Sequence, residues 1–169
     1  MDFWASIARA FLAEPEDAER ALTAYRLDFN GLLIVPQVLC HIGEAHLDAG
    51  RAAEAQRVLA EAGDVMAQHG EVYWEPEVFR LQGRLAILQR SDQLDLAAAL
   101  HQRALSLAHE RGLRLLELRA ATDLARLWAD VGGRTKAREL LAPIYNGFTE
   151  GFGAPDLRDA KALLDELEG

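Results

Sequence analysis

A short motif recurs about every forty residues along this chain: Leu39-x-x-Ile42-Gly43, Phe79-x-x-Gln82-Gly83 and Ala121-x-x-Leu124-Ala125, each ahead of a second helix-like run. Repeats of roughly 20–50 residues built from helix pairs belong to solenoids, where one unit cannot bury its apolar face and neighbours must stack to make a core. Such stacks offer long surfaces suited to binding.

Apolar residues recur at i, i+3, i+4 and i+7, and period-two alternation of β-branched residues is nearly absent, so the chain should be all-α. Only Leu32–Val35 looks strand-like. It leads into Pro36, which suits a helix's first turn, and so reads as a helix start.

Breakers divide the sequence into units of approximately 1–30, 31–70, 71–112 and 113–150, with a capping helix at 155–168, all in one domain. Phe3–Ala13 and Pro15–Asp28 form the first pair, and Leu33–Ala49 with Ala52–His69 the second, joined at Gly50 and closed by Gly70. Trp74–Gln89 and Leu94–Arg111 form the third, with Asp92 placed to cap its second helix. Leu113–Val131 and Arg134–Phe148 surround Gly132-Gly133, and Pro143 should remove a helical hydrogen bond to Glu139 and kink the second member. No Ser- or Pro-rich linker separates these elements, so they should pack as one body.

In the second unit Gly43, His46, Ala55 and Ala62 stand where two antiparallel helices approach closely. The third repeats this with Gly83, Ala86, Ala97 and Ala104, and the fourth with Ala125, Trp128, Ala137 and Ile144. This pattern resembles the tetratricopeptide (TPR) repeat, with units of about 40–42 residues instead of about 34, which implies longer helices. The first unit fits less well, because Ala18 and Tyr25 occupy its two small-residue places. The resemblance implies a right-handed solenoid of about four antiparallel helix pairs plus the capping helix.

Leu115–Ala121, Leu124–Trp128, Ala137–Pro143, Phe148–Phe152 and Pro155–Leu157 also resemble the C-terminal repeat region of large bacterial signalling proteins built on ATPase and cyclase modules. That resemblance spans roughly Gly31–Leu167 and includes none of the catalytic modules. It implies a repeat tail and carries over no active site.

A formal charge of −9 would repel a phosphate backbone, so nucleic acid is not an expected partner. One cysteine, Cys40, excludes an internal disulfide framework and fits a reducing, cytoplasmic setting. Met1–Ala13 lacks the pattern of a signal peptide, and no run is long and apolar enough to span a membrane.

Chemical motifs are sparse. Cys40, His41 and His46 suggest a metal site, yet residues five apart on a helix point about 140° from each other, and no metal is expected. His69, His101 and His109 read as isolated, exposed residues. The glycine-rich Gly147–Gly153 lacks a phosphate loop's Lys-Ser/Thr ending. Ser6, Ser91 and Ser106 have no base nearby in sequence, and Asp165 and Glu166 read as solvated. Neither a cofactor nor a catalytic residue is expected.

In a TPR-like stack the leading helix of each unit lines the concave face. There Gln37, Cys40, His41, Glu44 and Asp48 should neighbour Glu77, Arg80 and Arg84, with Arg119, Thr122, Asp123 and Arg126 continuing the groove. The arginines could clamp an acidic peptide or carboxylate through bidentate bonds. Interleaved Glu44, Glu77 and Asp123 could equally neutralise them internally, the favoured reading, since a mixed-sign face needs no ligand. Phe3, Trp4, Ile7 and Phe11 form an apolar start that no earlier repeat in this chain covers, an expected self-association patch with a homodimer its simplest form.

The sequence therefore predicts a non-enzymatic protein-interaction or regulatory module that binds a partner peptide or helix. The rival readings are an oligomerisation or sensor tail of a bacterial ATPase or cyclase-type signalling protein, and a small-ligand binder or enzyme using the arginine-bearing groove.

Overall fold

The computed structural model describes residues 34–168, which form seven α-helices and no strand. They are α1 (Val35–Asp48), α2 (Ala52–His69), α3 (Glu75–Gln89), α4 (Leu94–Glu110), α5 (Arg114–Asp130), α6 (Arg134–Asn146) and α7 (Pro155–Glu168). The expected first pair lies outside the described residues.

Local chemistry sets the ends of these helices. Pro36 and Pro76 occupy the first turns of α1 and α3, where a missing N–H costs no helical bond. None of α1–α6 has a side-chain N-cap bond. Acids in the first turn, Glu54, Glu75, Asp95, Glu117 and Asp156, face the positive end of the helix dipole instead. Asp92 does not cap α4 as expected: Gln93 holds the N-cap position, and Asp92 pairs with Arg90 at 3.0 Å. Gly70 ends α2 at φ 65°, a left-handed conformation that a side chain would strain. Pro143 lies inside α6, which continues to Asn146.

Each helix packs on the next in chain order, and α1, α3, α5 and α7 also pack on one another in succession. Small residues permit the close approaches within a pair. A Cβ on Gly43 of α1 would meet Leu59 of α2 at 2.8 Å, and one on Gly83 of α3 would meet the His101 ring of α4 at 2.6 Å. Ala55, Ala62, Ala97, Ala104, Ala125 and Ala137 are fully buried at the matching small-residue places.

Two apolar clusters result, one from α1–α3 around Leu39, Leu59 and Leu81, and one from α4–α7 around Leu118, Leu124 and Leu141. Burying a leucine completely contributes about 1.5–3 kcal/mol, so these positions dominate the packing energy. α7 buries Leu157, Ala160, Leu163, Leu164 and Leu167, while Arg158, Asp159, Lys161 and Asp165 are exposed.

His101 departs from its expected exposure. It occupies the place of Leu59 in the preceding pair and Leu141 in the following one, and it is only 1% exposed. His69 and His109 are exposed, and His109 Nδ1 lies 2.8 Å from Glu117.

Candidate functional site: an ion-pair lattice across the leading helices

The layer formed by α1, α3, α5 and α7 carries charged residues at helical spacing along one face. α1 contributes Glu44 and Asp48, α3 contributes Glu77, Arg80 and Arg84, α5 contributes Arg119, Asp123 and Arg126, and α7 contributes Asp156 and Asp159. Because i, i+3, i+4 and i+7 lie on one side of a helix, each set meets the set on the next helix.

Arg80 is the hub. Its Nε and Nη2 donate to the two carboxylate oxygens of Glu77 at 3.0 and 2.8 Å, Nη1 donates to Asp123 at 2.7 Å, and Nη2 also donates to Glu44 at 2.5 Å. Arg84 donates to the same Glu44 oxygen at 2.9 Å and to Asp48 at 2.6 Å. Arg119 reaches Glu77 and Asp156, each at 2.8 Å, and Arg126 reaches Asp159 at 3.0 Å. Four helices are thereby tied by one lattice.

Burial decides which members are structural. Glu77 and Arg80 are only 2% and 4% exposed, so Glu77 lies beneath the layer's surface and Arg80 forms the floor of the groove. Burial opposes ionisation of Glu77, yet Arg80, through charge and hydrogen bonds, and then Arg119 outweigh it and hold its pKa below the usual carboxylate value. Glu44 is held low in the same way, against burial, by Arg80. Burial also opposes the charge on Arg80, but Glu77 and then Asp123 raise its pKa well above normal.

Above this floor is a groove of about 260 Å³ lined by Glu44, Arg80, Arg84, Arg119, Thr122, Asp123, Arg126, Asp156 and Asp159. Thr122 Oγ1 donates to the Leu118 carbonyl of its own helix at 2.8 Å. Across the lattice, four arginines meet six carboxylates, which leaves it two negative charges.

Eight of the ten anticipated groove residues thus come together: Glu44, Asp48, Glu77, Arg80, Arg84, Arg119, Asp123 and Arg126. Gln37 and His41 do not line the groove. Gln37 is half-buried, and the His41 ring lies edge-on to Trp74 at 6.5 Å. Burial, then the charge of Arg119, lowers the His41 pKa. The anticipated self-association residues Phe3, Trp4, Ile7 and Phe11 lie outside the described residues.

Sequence reasoning missed Asp156 and Asp159, which complete the lattice from α7. Their i, i+3 spacing at the start of the capping helix was the available signal, had α7 been treated as one more leading helix. The Cys40 thiol is buried, and burial followed by the charge of Glu77 pushes its pKa well above normal. Among the described residues no cluster of His, Cys, Asp and Glu is arranged to hold a metal ion, and no helix is long and apolar enough to cross a membrane.

No protein-family model matches the chain, and no curated protein matches it.

Proposed function

We infer that this chain is a non-enzymatic interaction module: a right-handed TPR-like solenoid whose leading-helix layer is the concave surface and holds a segment of a partner protein. The observation that carries this reading is the groove itself, which runs over residues of α1, α3, α5 and α7. A surface spanning four consecutive leading helices suits an elongated ligand.

The groove's chemistry favours a polypeptide over a small molecule. Small-ligand pockets are mostly apolar and hold roughly 300–1,000 Å³, whereas this one, at about 260 Å³, is lined by eight charged residues and a threonine. The polar outer face of α7 is what a capping element of a repeat array requires. On the resemblance of α5–α7 to the repeat tails of bacterial signalling proteins, the module would serve as the partner-binding or sensor part of such a regulator.

Site-specific photo-crosslinking tests the reading. A benzophenone side chain at Arg126 or Asp159, which are about half exposed, should trap one polypeptide, whereas the same group at the exposed Glu54 of α2 should not. Identical products from both faces would refute a groove-borne interaction.

A further inference from the structure

The lattice also constrains what kind of segment the groove accepts, an inference that rests on the interaction reading above. A clamp for acidic peptides needs guanidinium groups free to turn toward a ligand. Arg80 already makes four hydrogen bonds to three carboxylates, and Arg119 bonds through all three of its nitrogens. At Arg80 or Arg119 an incoming carboxylate would have to displace an existing one, in a lattice already carrying two excess negative charges.

An incoming cation breaks nothing. Glu44 accepts both of its arginine bonds at Oε1, and Asp123 accepts its bond at Oδ2. Their other oxygens, Glu44 Oε2 and Asp123 Oδ1, accept no hydrogen bond among the described residues, although both side chains line the groove. These two acids flank the same Arg80 guanidinium, at its Nη2 and Nη1, and both line the one groove. They are 24% and 20% exposed, sheltered enough for a charged bond to be stronger than on open surface. The chain's net charge of −9 draws cations toward it from a distance.

We propose that the groove receives a basic segment of a partner protein, with lysine or arginine side chains bound by Glu44 and Asp123 across the α1, α3 and α5 layer.

The test uses fluorescein-labelled nona-arginine, nona-glutamate and a neutral Gly-Ser peptide in anisotropy titrations at low and physiological salt. Nona-arginine should bind, and Glu44→Gln/Asp123→Asn should weaken it by about tenfold or more. Glu54→Gln/Glu110→Gln removes the same charge from exposed positions of α2 and α4, and should change binding by less than about twofold. Because the groove pair also supports Arg80, Arg126→Gln provides a second arm: it removes an exposed positive charge, leaves the hub intact, and should tighten nona-arginine binding.

Equal weakening by both double variants would reduce the effect to bulk charge and overturn the proposal. So would unchanged or weaker binding in Arg126→Gln. Groove-dependent binding of nona-glutamate or the neutral peptide would overturn the basic preference while leaving the interaction reading standing. Failure of all three peptides to bind would count against both.

Discussion

Arg80 and Asp123, forty-three residues apart in sequence, meet at 2.7 Å where α3 packs on α5. The bond joins helices of successive pairs, and Arg80 extends it to Glu44 on α1 and Glu77 on its own helix. A buried arginine serving three carboxylates makes the register between pairs depend on polar geometry as well as apolar packing. Ion pairs of this kind are costly to disrupt from one side, because the remaining charge is stranded away from water.

Glu77→Leu and Arg80→Met should therefore each destabilise the fold by about 3–5 kcal/mol. The double variant, which removes both buried charges, should lose less than the sum, with a coupling above about 1 kcal/mol. Urea unfolding of the four proteins measures it. Strictly additive losses would mean that the pair is not energetically linked.

Acid should release the same lattice. Glu44 and Glu77 titrate below their ordinary range in the folded chain, so the folded state binds fewer of their protons than the unfolded state as pH falls. Their contribution is complete above the unfolded value of about 4.3 and is lost as pH drops through the lower folded values. Urea midpoints should decline steeply below about pH 4.3, and Glu77→Gln should flatten that decline. An unchanged slope in the variant would remove Glu77 from the account.

His101 supplies a separate dependence near neutrality. Burial lowers its pKa, and the charges of Arg80 and Arg84 add to this while Asp123 opposes it, so the ring is held neutral in the fold. Its Nδ1 is buried without a hydrogen-bond partner among the described residues. Stability is complete above the unfolded value of about 6.5 and falls as pH drops from there toward the lower folded value, because the unfolded chain takes up the proton first. His101→Leu, which restores the residue type of Leu59 and Leu141, should abolish that loss and add about 1–3 kcal/mol at neutral pH. Thermal melts from pH 7.5 to 5.5 decide it, and a histidine-like slope in the leucine variant would place the titration elsewhere.

The helices were legible because their signals are local. Pro36, Gly70 and the apolar spacing Ala55, Leu59, Ala62 each act within one or two turns, and α2 has the predicted limits, Ala52–His69. The lattice was legible in part, since charges at helical spacing on α1, α3 and α5 share a face whatever their partners. How deep each residue sits was not. Glu77 and Arg80 became buried through the packing of α1 and α5 onto α3, a nonlocal event that spacing does not encode. His101 was misplaced for a related reason: a lone polar residue looks exposed until its alignment with Leu59 and Leu141 reveals a core position.

Three glycines inside helices separate helix propensity from packing. Replacing glycine by alanine in a helix interior gains about 0.8–1.0 kcal/mol where space allows. At Gly63 of α2 nothing among the described residues lies within 4 Å of the added carbon, so Gly63→Ala should stabilise by about that amount. At Gly43 the added carbon would meet the Leu59 Cδ2 methyl at 2.8 Å, a side-chain end that can rotate partly aside. At Gly83 it would meet the His101 ring, with Cε1 at 2.6 Å, Nδ1 at 2.8 Å and Nε2 at 2.9 Å, and a planar ring in a filled core has little room to move. Overpacking costs about 1–3 kcal/mol, so Gly83→Ala should be the most damaging of the three and Gly43→Ala intermediate. Combining Gly83→Ala with His101→Ala should recover part of the loss, because the smaller side chain vacates the contact. Melting temperatures of the single and paired variants establish the order, and equal effects at all three glycines would show that close helix approach does not set their identity.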